Sequence, residues 1–312
     1  MQGESRKTIL AAMAANLAIA LAKGAAGLIG RSPALLAEAA HSVADTMNQV
    51  FLLVSLSLGD RKPDEEHPFG YGKERFFWAF MAAVFIFVSG AVFSLYEGLH
   101  ALLQGGIVET SFVISYAVLG FAFLAEGASL SRAVAQVRGE ARSAGQQVRA
   151  YLRQSTDPTV RTVLFEDSAA VTGVVLALIG VALHQRTGEG LWEGLASILI
   201  GLLLVVVAYV LGRDTKGLLI GEAARPEQRR QLRDVIVRHP EVEEVLELLT
   251  MHLGPNTLLV AVRLDLRDDL SAGEVERLSN EIDRELRHTV PGVYQVFLDA
   301  TPRPRQVEQQ PA

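Results

Sequence analysis

The chain has 312 residues, no cysteine and a formal net charge of −6, and half of its residues are hydrophobic. Its charges are unevenly spread: residues 1–212 carry 15 basic and 17 acidic side chains (32 in 212 residues), and residues 213–312 carry 14 basic and 18 acidic ones (32 in 100). About a quarter of a typical soluble domain is charged, so the composition predicts a membrane domain followed by a soluble one. It argues against nucleic-acid binding, and the lack of Cys excludes disulfides and thiolate metal sites.

Six apolar stretches are long enough to cross a bilayer, which takes about 20 residues. The first is too long for a cleaved signal peptide, so no such peptide is expected. The predicted spans run Thr8–Gly30, Ala34–Leu58, Phe76–Leu103, Ser111–Ser131, Val163–His184 and Leu191–Gly212.

The orientation of the spans follows from Lys and Arg in the short loops. With the N-terminus inside, the inner segments carry 14 of these residues and the outer loops carry two, Arg31 and Arg186. This predicts that both termini are cytoplasmic. Because no transit peptide is recognised, we expect a multi-pass protein of the bacterial inner membrane rather than of a mitochondrion.

The last third of the chain reads as a small α+β domain. A helix begins at Pro226 and stops by Pro240, and Ser271 caps a second helix, with Glu274 completing a capping box. The predicted strands are Val242–His252, Leu258–Asp265 and Val293–Asp299. The order helix, strand, strand, helix, strand predicts a ferredoxin-like sheet with two helices on one face. The predicted domains are therefore 1–212 (transmembrane), 213–302 (cytoplasmic) and 303–312 (disordered tail).

Ionisable residues inside the second span are the first candidates for function, because a charge at the bilayer centre costs about 2.5–3.5 kcal/mol. His41 and Asp45 are four residues apart and therefore share one helical face, with Asn48 close to that face. Glu38 and Glu97 lie nearer helix ends and are expected to reach interfacial water. An internal hydrogen-bonded pair of His41 and Asp45 is the alternative to a ligand site.

Two further spans carry carboxylates. Glu166 and Asp167 open the fifth span, and Glu126 lies in the fourth. Asp167 is expected at a depth similar to that of Asp45 if their helices are neighbours. One imidazole with two or three carboxylates would suit Zn, Mn, Fe or Co.

These residues resemble the cation diffusion facilitator family over almost the whole chain. The similarity rests on ALLAEAAHS at 34–42 followed by Asp45 and Asn48-Gln49, and on HPFGYG at 67–72. LFEDSAA at 164–170, preceded by Asp157-Pro158, looks most like the branch that contains the zinc transporter nine proteins of mitochondria.

The resemblance implies a homodimer that exports divalent cations, mostly zinc, in exchange for protons by alternating access. It also implies a membrane site with two ligands from the second span and two from the fifth, spaced four apart. His41 and Asp45 match the first pair, and Asp167 matches one member of the second. The other position holds Val163, which cannot bind metal, so Glu166, water or Glu126 would complete the shell.

Other metal positions of the family are incomplete here. Asp64 and His67 match two ligands of an intracellular loop site, but Tyr71 stands where a second histidine belongs, so a structural or gating use of the loop is equally plausible. In the tail, Leu246 and Arg263 stand at places of zinc-bridging residues. We therefore expect no binuclear zinc cluster there, and the tail is predicted to be a dimerisation domain.

The predicted function is divalent metal efflux, with zinc first and protons as the countersubstrate. Transport of Mn, Fe or Co by the same mechanism is one alternative, and a non-transporting membrane metal sensor or scaffold is another. A membrane metallohydrolase is disfavoured because no HExxH-type pairing is present. No enzymatic activity and no cofactor are expected.

Overall fold

The protein is described by a computed structural model that covers residues 2–104, 111–143, 145–148, 151–152 and 158–301. The chain divides into two compact units, which we call the membrane unit (Met1–Asp60 with Glu74–Lys216) and the cytoplasmic unit (Arg61–Lys73 with the chain from Gly217 onward). The loop 61–73, inside the predicted transmembrane domain, thus packs with the second unit. The predicted disordered tail, 303–312, lies outside the described residues.

The membrane unit is all α-helical. Its helices are longer than the spans predicted from sequence because several continue into polar sequence beyond the apolar stretch. In chain order they are α1 (Gln2–Gly30), α2 (Pro33–Gly59), α3 (Glu74–Phe85), a π-helical segment (Ile86–Val92), α4 (Phe93–Leu103), α5 (Phe112–Ser143), α6 (Pro158–Thr187) and α7 (Leu191–Ile220).

Five of the described helices are long and apolar enough to cross a membrane: α1, the continuous helix Glu74–Leu103, α5, α6 and α7. α2, the remaining predicted span, is 27 residues long but carries polar side chains on its buried side. Large apolar side chains such as Leu28 and Leu124 are more than 70% exposed on the unit's surface. In a bilayer such side chains would face lipid.

α2 begins at a capped turn. The Ser32 hydroxyl accepts the Leu35 backbone N–H at 3.3 Å, and Pro33 occupies the first helical position, where its missing N–H costs nothing. α1, the helix of residues 74–103 and α6 all pack against α2. The π-helical segment also packs on α2, where its Gly90 lies near Ala44, one residue before Asp45. π-helical turns occur frequently at functional sites.

The cytoplasmic unit has the predicted order of elements: α8 (Pro226–Val237), β1 (Val242–Gly254), β2 (Thr257–Leu266), α9 (Ala272–Thr289) and β3 (Val293–Asp299). The sheet order is β1-β2-β3, with β1 antiparallel and β3 parallel to the central β2. The capping box predicted at Ser271 is confirmed, since the Glu274 carboxylate accepts the Ser271 backbone N–H at 2.8 Å.

The core of this unit lies between the helices and one face of the sheet. Alternate residues of β2 point into it, as the period of two predicts. The buried side chains are Leu258, Val260, Val262 and Leu264 from β2, Leu232 and Ile236 from α8, and Ile282 and Leu286 from α9.

Glycines let α4 and α7 approach closely inside the membrane unit. A Cβ at Gly98 would lie 2.7 Å from both the Gly194 carbonyl oxygen and Ile198 Cγ1. Small residues at such crossings are typical of packed membrane helices. Gly120, on α5, has no atom within 4 Å of a built Cβ and serves as a matched control.

We predict that Gly98→Ala lowers the melting temperature of the detergent-solubilised protein by several degrees, because overpacking a tight contact costs about 1–3 kcal/mol. Gly120→Ala should leave it unchanged. Thermal stability followed by size-exclusion chromatography measures both. Equal melting temperatures for the two variants would contradict the close α4–α7 contact.

Candidate metal site in the membrane unit

His41 and Asp45 form one side of the candidate site on α2. The His41 side chain is only 2% exposed, and its Nδ1 lies 3.7 Å from Asp45 Oδ1. That distance is too long for a hydrogen bond, so the two residues are not the hydrogen-bonded pair considered as an alternative. Both His41 ring nitrogens and Asp45 Oδ1 are buried without a hydrogen-bond partner. Such atoms are costly unless a further group binds them.

Glu166 and Asp167 form the facing side, on α6, which packs against α2. Each carboxylate accepts one hydrogen bond: Asn48 Nδ2 donates to Glu166 Oε2 at 2.6 Å, and Ser129 Oγ on α5 donates to Asp167 Oδ2 at 3.0 Å. Glu166 Oε1 is buried without a partner. Asn48 and Ser129 therefore orient two carboxylates and leave other oxygens free for a cation.

The carboxylates of Asp45, Glu166 and Asp167 lie within electrostatic range of one another, and their like charges repel. A divalent cation would relieve this repulsion. Among the described residues, no group of three or more His, Asp or Glu side chains is placed so that it could hold a metal ion. The candidate site is thus a set of residues on two packed helices whose side chains would have to move together to bind a cation.

The position expected to supply the fourth ligand holds Val163, and Glu126 was considered as a replacement. The Val163 side chain is 40% exposed and cannot bind metal. Glu126 Oε1 accepts a hydrogen bond from Lys23 Nζ at 2.7 Å, so one of its oxygens is already bound to a cationic group. Both carboxylates considered for the fourth ligand lie within electrostatic range of Asp45 and Asp167, and Glu166 is adjacent to Asp167 in the sequence.

The expectation for Glu38 was wrong. Its side chain is fully buried and forms a 2.7 Å ion pair with Lys23 of α1, so it does not reach interfacial water. Lys23 was not identified from the sequence, although an ionisable residue inside an apolar span is itself a signal of function. The position of Glu38 was mispredicted because its ion-pair partner, Lys23, lies 15 residues earlier in the chain and on another helix.

A second buried polar group was also missed, at the start of α2. Glu193 of α7 binds both the Ser32 hydroxyl and His184 Nδ1 of α6, and all three side chains are buried. Neither His184 nor Glu193 was identified from the sequence; both lie close to the ends of predicted spans. Together with Ser32 they join α2, α6 and α7.

The loop 61–73 holds Asp64 and His67 within the cytoplasmic unit. Both Asp64 oxygens accept hydrogen bonds at 2.7 Å, one from the His67 backbone N–H and one from the Tyr71 hydroxyl. The Tyr71 hydroxyl, and then the His67 N–H, hold the pKa of Asp64 below its usual range. The His67 ring lies 4.3 Å from that of Tyr71. These contacts are those of a structural turn.

In the sheet, Arg263 lies between acidic residues of the two neighbouring strands. It pairs in register with Glu247 on β1 and Asp299 on β3, and its Nε donates to Asp299 Oδ2 at 2.8 Å. A guanidinium therefore occupies one of the places where the resemblance would have put a zinc-binding side chain.

Two packed helices with unpartnered imidazole and carboxylate groups, inside a unit of membrane-spanning length, define a class of membrane protein that handles cations. The comparisons with known families agree. Residues 9–220 match the cation efflux transmembrane domain, and residues 224–302 match the cytoplasmic domain of cation efflux proteins. The chain belongs to the cation efflux family, which consists of transporters and not of enzymes.

Two of the known relatives are named for different metals, and a third is named for none. The "Proton-coupled zinc antiporter SLC30A9, mitochondrial" of Homo sapiens is 33% identical over 249 residues, covering 80% of this chain and 44% of the relative. The "Manganese efflux system protein MneP" of Bacillus subtilis is 26% identical over 96% of both chains. "Magnetosome protein MamB" of Magnetospira is 25% identical over 90% of this chain and 89% of its own length. The chain spans less than half the length of the mitochondrial relatives.

We predict that Ser129→Ala weakens metal binding by roughly tenfold, because groups that orient a ligand typically contribute ten- to a hundredfold to affinity. Ser131→Ala is the matched control: Ser131 lies two residues away on α5, and its hydroxyl donates to the Gly127 carbonyl of its own helix at 2.7 Å. Isothermal titration of both purified variants with Zn²⁺ measures the difference. Equal Zn²⁺ affinities of the two variants would show that Asp167 is not a ligand of the site.

Proposed function

We propose that the protein is a zinc efflux transporter that exchanges the metal for protons as a homodimer. The observation that carries the proposal is the set of buried, unpartnered ligand atoms on facing helices: both nitrogens of His41, Asp45 Oδ1 and Glu166 Oε1. Asp167 is the fourth proposed ligand.

Zinc is favoured by the chemistry of the donors. An imidazole nitrogen with carboxylate oxygens is a typical zinc ligand set. The mitochondrial relatives are named as zinc antiporters, which supports the same choice. Mn, Fe or Co is the second candidate, because three carboxylates with one His also suit harder cations and one relative that matches nearly end to end is named for manganese.

Proton exchange follows from what metal binding demands of the ligands. His41 binds metal only when it is neutral, and Asp45, Glu166 and Asp167 bind it when they are ionised, so loading of the site releases protons. Protonation from the other side of the membrane would then favour release of the metal. An imidazole, which titrates near neutral pH, suits such an exchange.

The proposed orientation places both termini in the cytoplasm, on the basis of the 14 Lys and Arg residues of the inner segments against two outside. The Bacillus subtilis relative, which matches over 96% of both chains, supports a bacterial plasma membrane as the location.

Exposed apolar side chains on the sheet, Leu249 and Phe297, support pairing of two cytoplasmic units.

Transport by reconstituted protein tests the proposal. In proteoliposomes that contain a pH-sensitive dye, addition of Zn²⁺ should drive proton flux through the wild type, and Asp45→Ala or Asp167→Ala should abolish it, because each removes a charged ligand. Competition among Zn²⁺, Mn²⁺, Fe²⁺ and Co²⁺ ranks the metals. Full flux in both variants would refute the site, and metal binding without any flux in the wild type would favour the sensor or scaffold.

The fourth ligand can be tested separately. We expect Glu166→Gln to weaken Zn²⁺ binding at least tenfold, an effect of about 1.4 kcal/mol or more, because an ionised ligand is lost. Glu126→Gln should change the affinity little, since Glu126 is paired with Lys23. Calorimetric titration of the two variants decides it, and the reverse ranking would move the site towards Glu126.

A further inference from the structure

Lys23 is a buried cation whose hydrogen-bonding capacity is fully used. Its Nζ donates to Glu38 Oε2 at 2.7 Å, to Glu126 Oε1 at 2.7 Å and to Ser42 Oγ at 3.1 Å. An ammonium group has three N–H donors, so each one has a partner. The Lys23 and Glu38 side chains are fully buried, and that of Glu126 is 12% exposed. We call Lys23, Glu38, Ser42 and Glu126 the Lys23 cluster.

On α2, the carboxylate of the Lys23 cluster is offset along the helix from the carboxylate proposed to bind metal. Glu38 precedes Asp45 by seven residues of α2, which is about 10 Å at 1.5 Å per residue. On α5, Glu126 contacts Lys23, and Ser129, three residues later, contacts Asp167. His41 and Ser42 lie between Glu38 and Asp45 on α2. The membrane unit thus contains two neighbouring groups of carboxylates.

The carboxylates of the Lys23 cluster keep further donor atoms. Glu38 Oε1 and Glu126 Oε2 are buried without hydrogen-bond partners. Glu38 Oε1 faces Gly173 of α6 so closely that a Cβ there would lie 2.2 Å from it. Two carboxylates and a hydroxyl, converging on one point, are a donor set that accepts a divalent cation. The ammonium of Lys23 occupies that point.

We propose that Lys23 is a tethered cation that fills a second cation position of the membrane unit, so that each protomer holds one divalent cation and not two. The proposal rests on the proposed function, because the first position is the one at His41, Asp45, Glu166 and Asp167. A cation attached to the chain has an effective concentration in the millimolar range or above. It therefore competes with free metal for these oxygens, and it offsets one of the two charges of Glu38 and Glu126.

Metal stoichiometry tests this inference. Full-length, tag-free protein in detergent is dialysed to equilibrium against Zn²⁺, and the bound metal is counted by mass spectrometry. We expect one Zn²⁺ per protomer in the wild type and two in Lys23→Met, because the neutral side chain leaves the position open. Lys23→Arg should bind one, since it retains the charge. Lys62→Met, which removes an exposed lysine, should also bind one.

Combination with the first site identifies where the added ion binds. Asp45→Ala alone should bind no Zn²⁺, and Lys23→Met with Asp45→Ala should bind one, in the Lys23 cluster. Failure of the proposed function would show as a wild type that binds none, whereas failure of this inference would show as a monodisperse Lys23→Met protein that binds no more than the wild type. Two ions in the wild type would also overturn it.

If Lys23→Met does not fold, the same inference is tested with Lys23 in place. Glu38→Gln and Glu126→Gln should each still bind one Zn²⁺ with an affinity within about threefold of the wild type, because both carboxylates bind the ammonium and not the metal. A fall to zero ions in either variant would mean that these carboxylates hold the transported metal, and would refute the inference.

Discussion

The membrane unit depends on one constraint: an ionisable side chain inside a bilayer needs a partner, because the bilayer offers no water in its place. Lys23, Glu38 and Glu126 meet part of this requirement among themselves, through two ion pairs of 2.7 Å. Both His41 ring nitrogens and Asp45 Oδ1 are also buried, and none of these atoms has a hydrogen-bond partner. The two groups of residues differ in that only the first contains a cation that belongs to the chain itself, Lys23.

The cytoplasmic unit follows a different physical rule, that of the hydrophobic core. Alternating apolar residues of β2 meet the apolar faces of α8 and α9, and this leaves the other face of the sheet available for contacts. Phe69 of the loop 61–73 lies edge-on to Phe297 on that face, at 6.4 Å between ring centroids. The loop that joins α2 to α3 is thereby a part of the cytoplasmic unit, and Asp64 has a structural use in it.

Much of this architecture could be predicted, because it depends on local signals. The apolar stretches, the Ser271 cap and the period of β2 are each encoded within a single run of consecutive residues. The position of the carboxylates relative to one another could not be predicted in this way. Glu38 looked interfacial because its partner is on α1, and the Glu193 group escaped notice because Ser32 and His184 lie on two other helices.

The sequence by itself determined the two-part organisation, the helical class of the membrane unit, the α+β order of the cytoplasmic unit and the residue types able to bind a divalent cation. Hydrophobicity and periodicity are properties of consecutive residues, so they can be determined from the sequence alone. Only the tertiary structure decided which charges neutralise one another. Lys23 and Glu126 are 103 residues apart, and Coulomb interactions depend on distances in space that folding alone establishes.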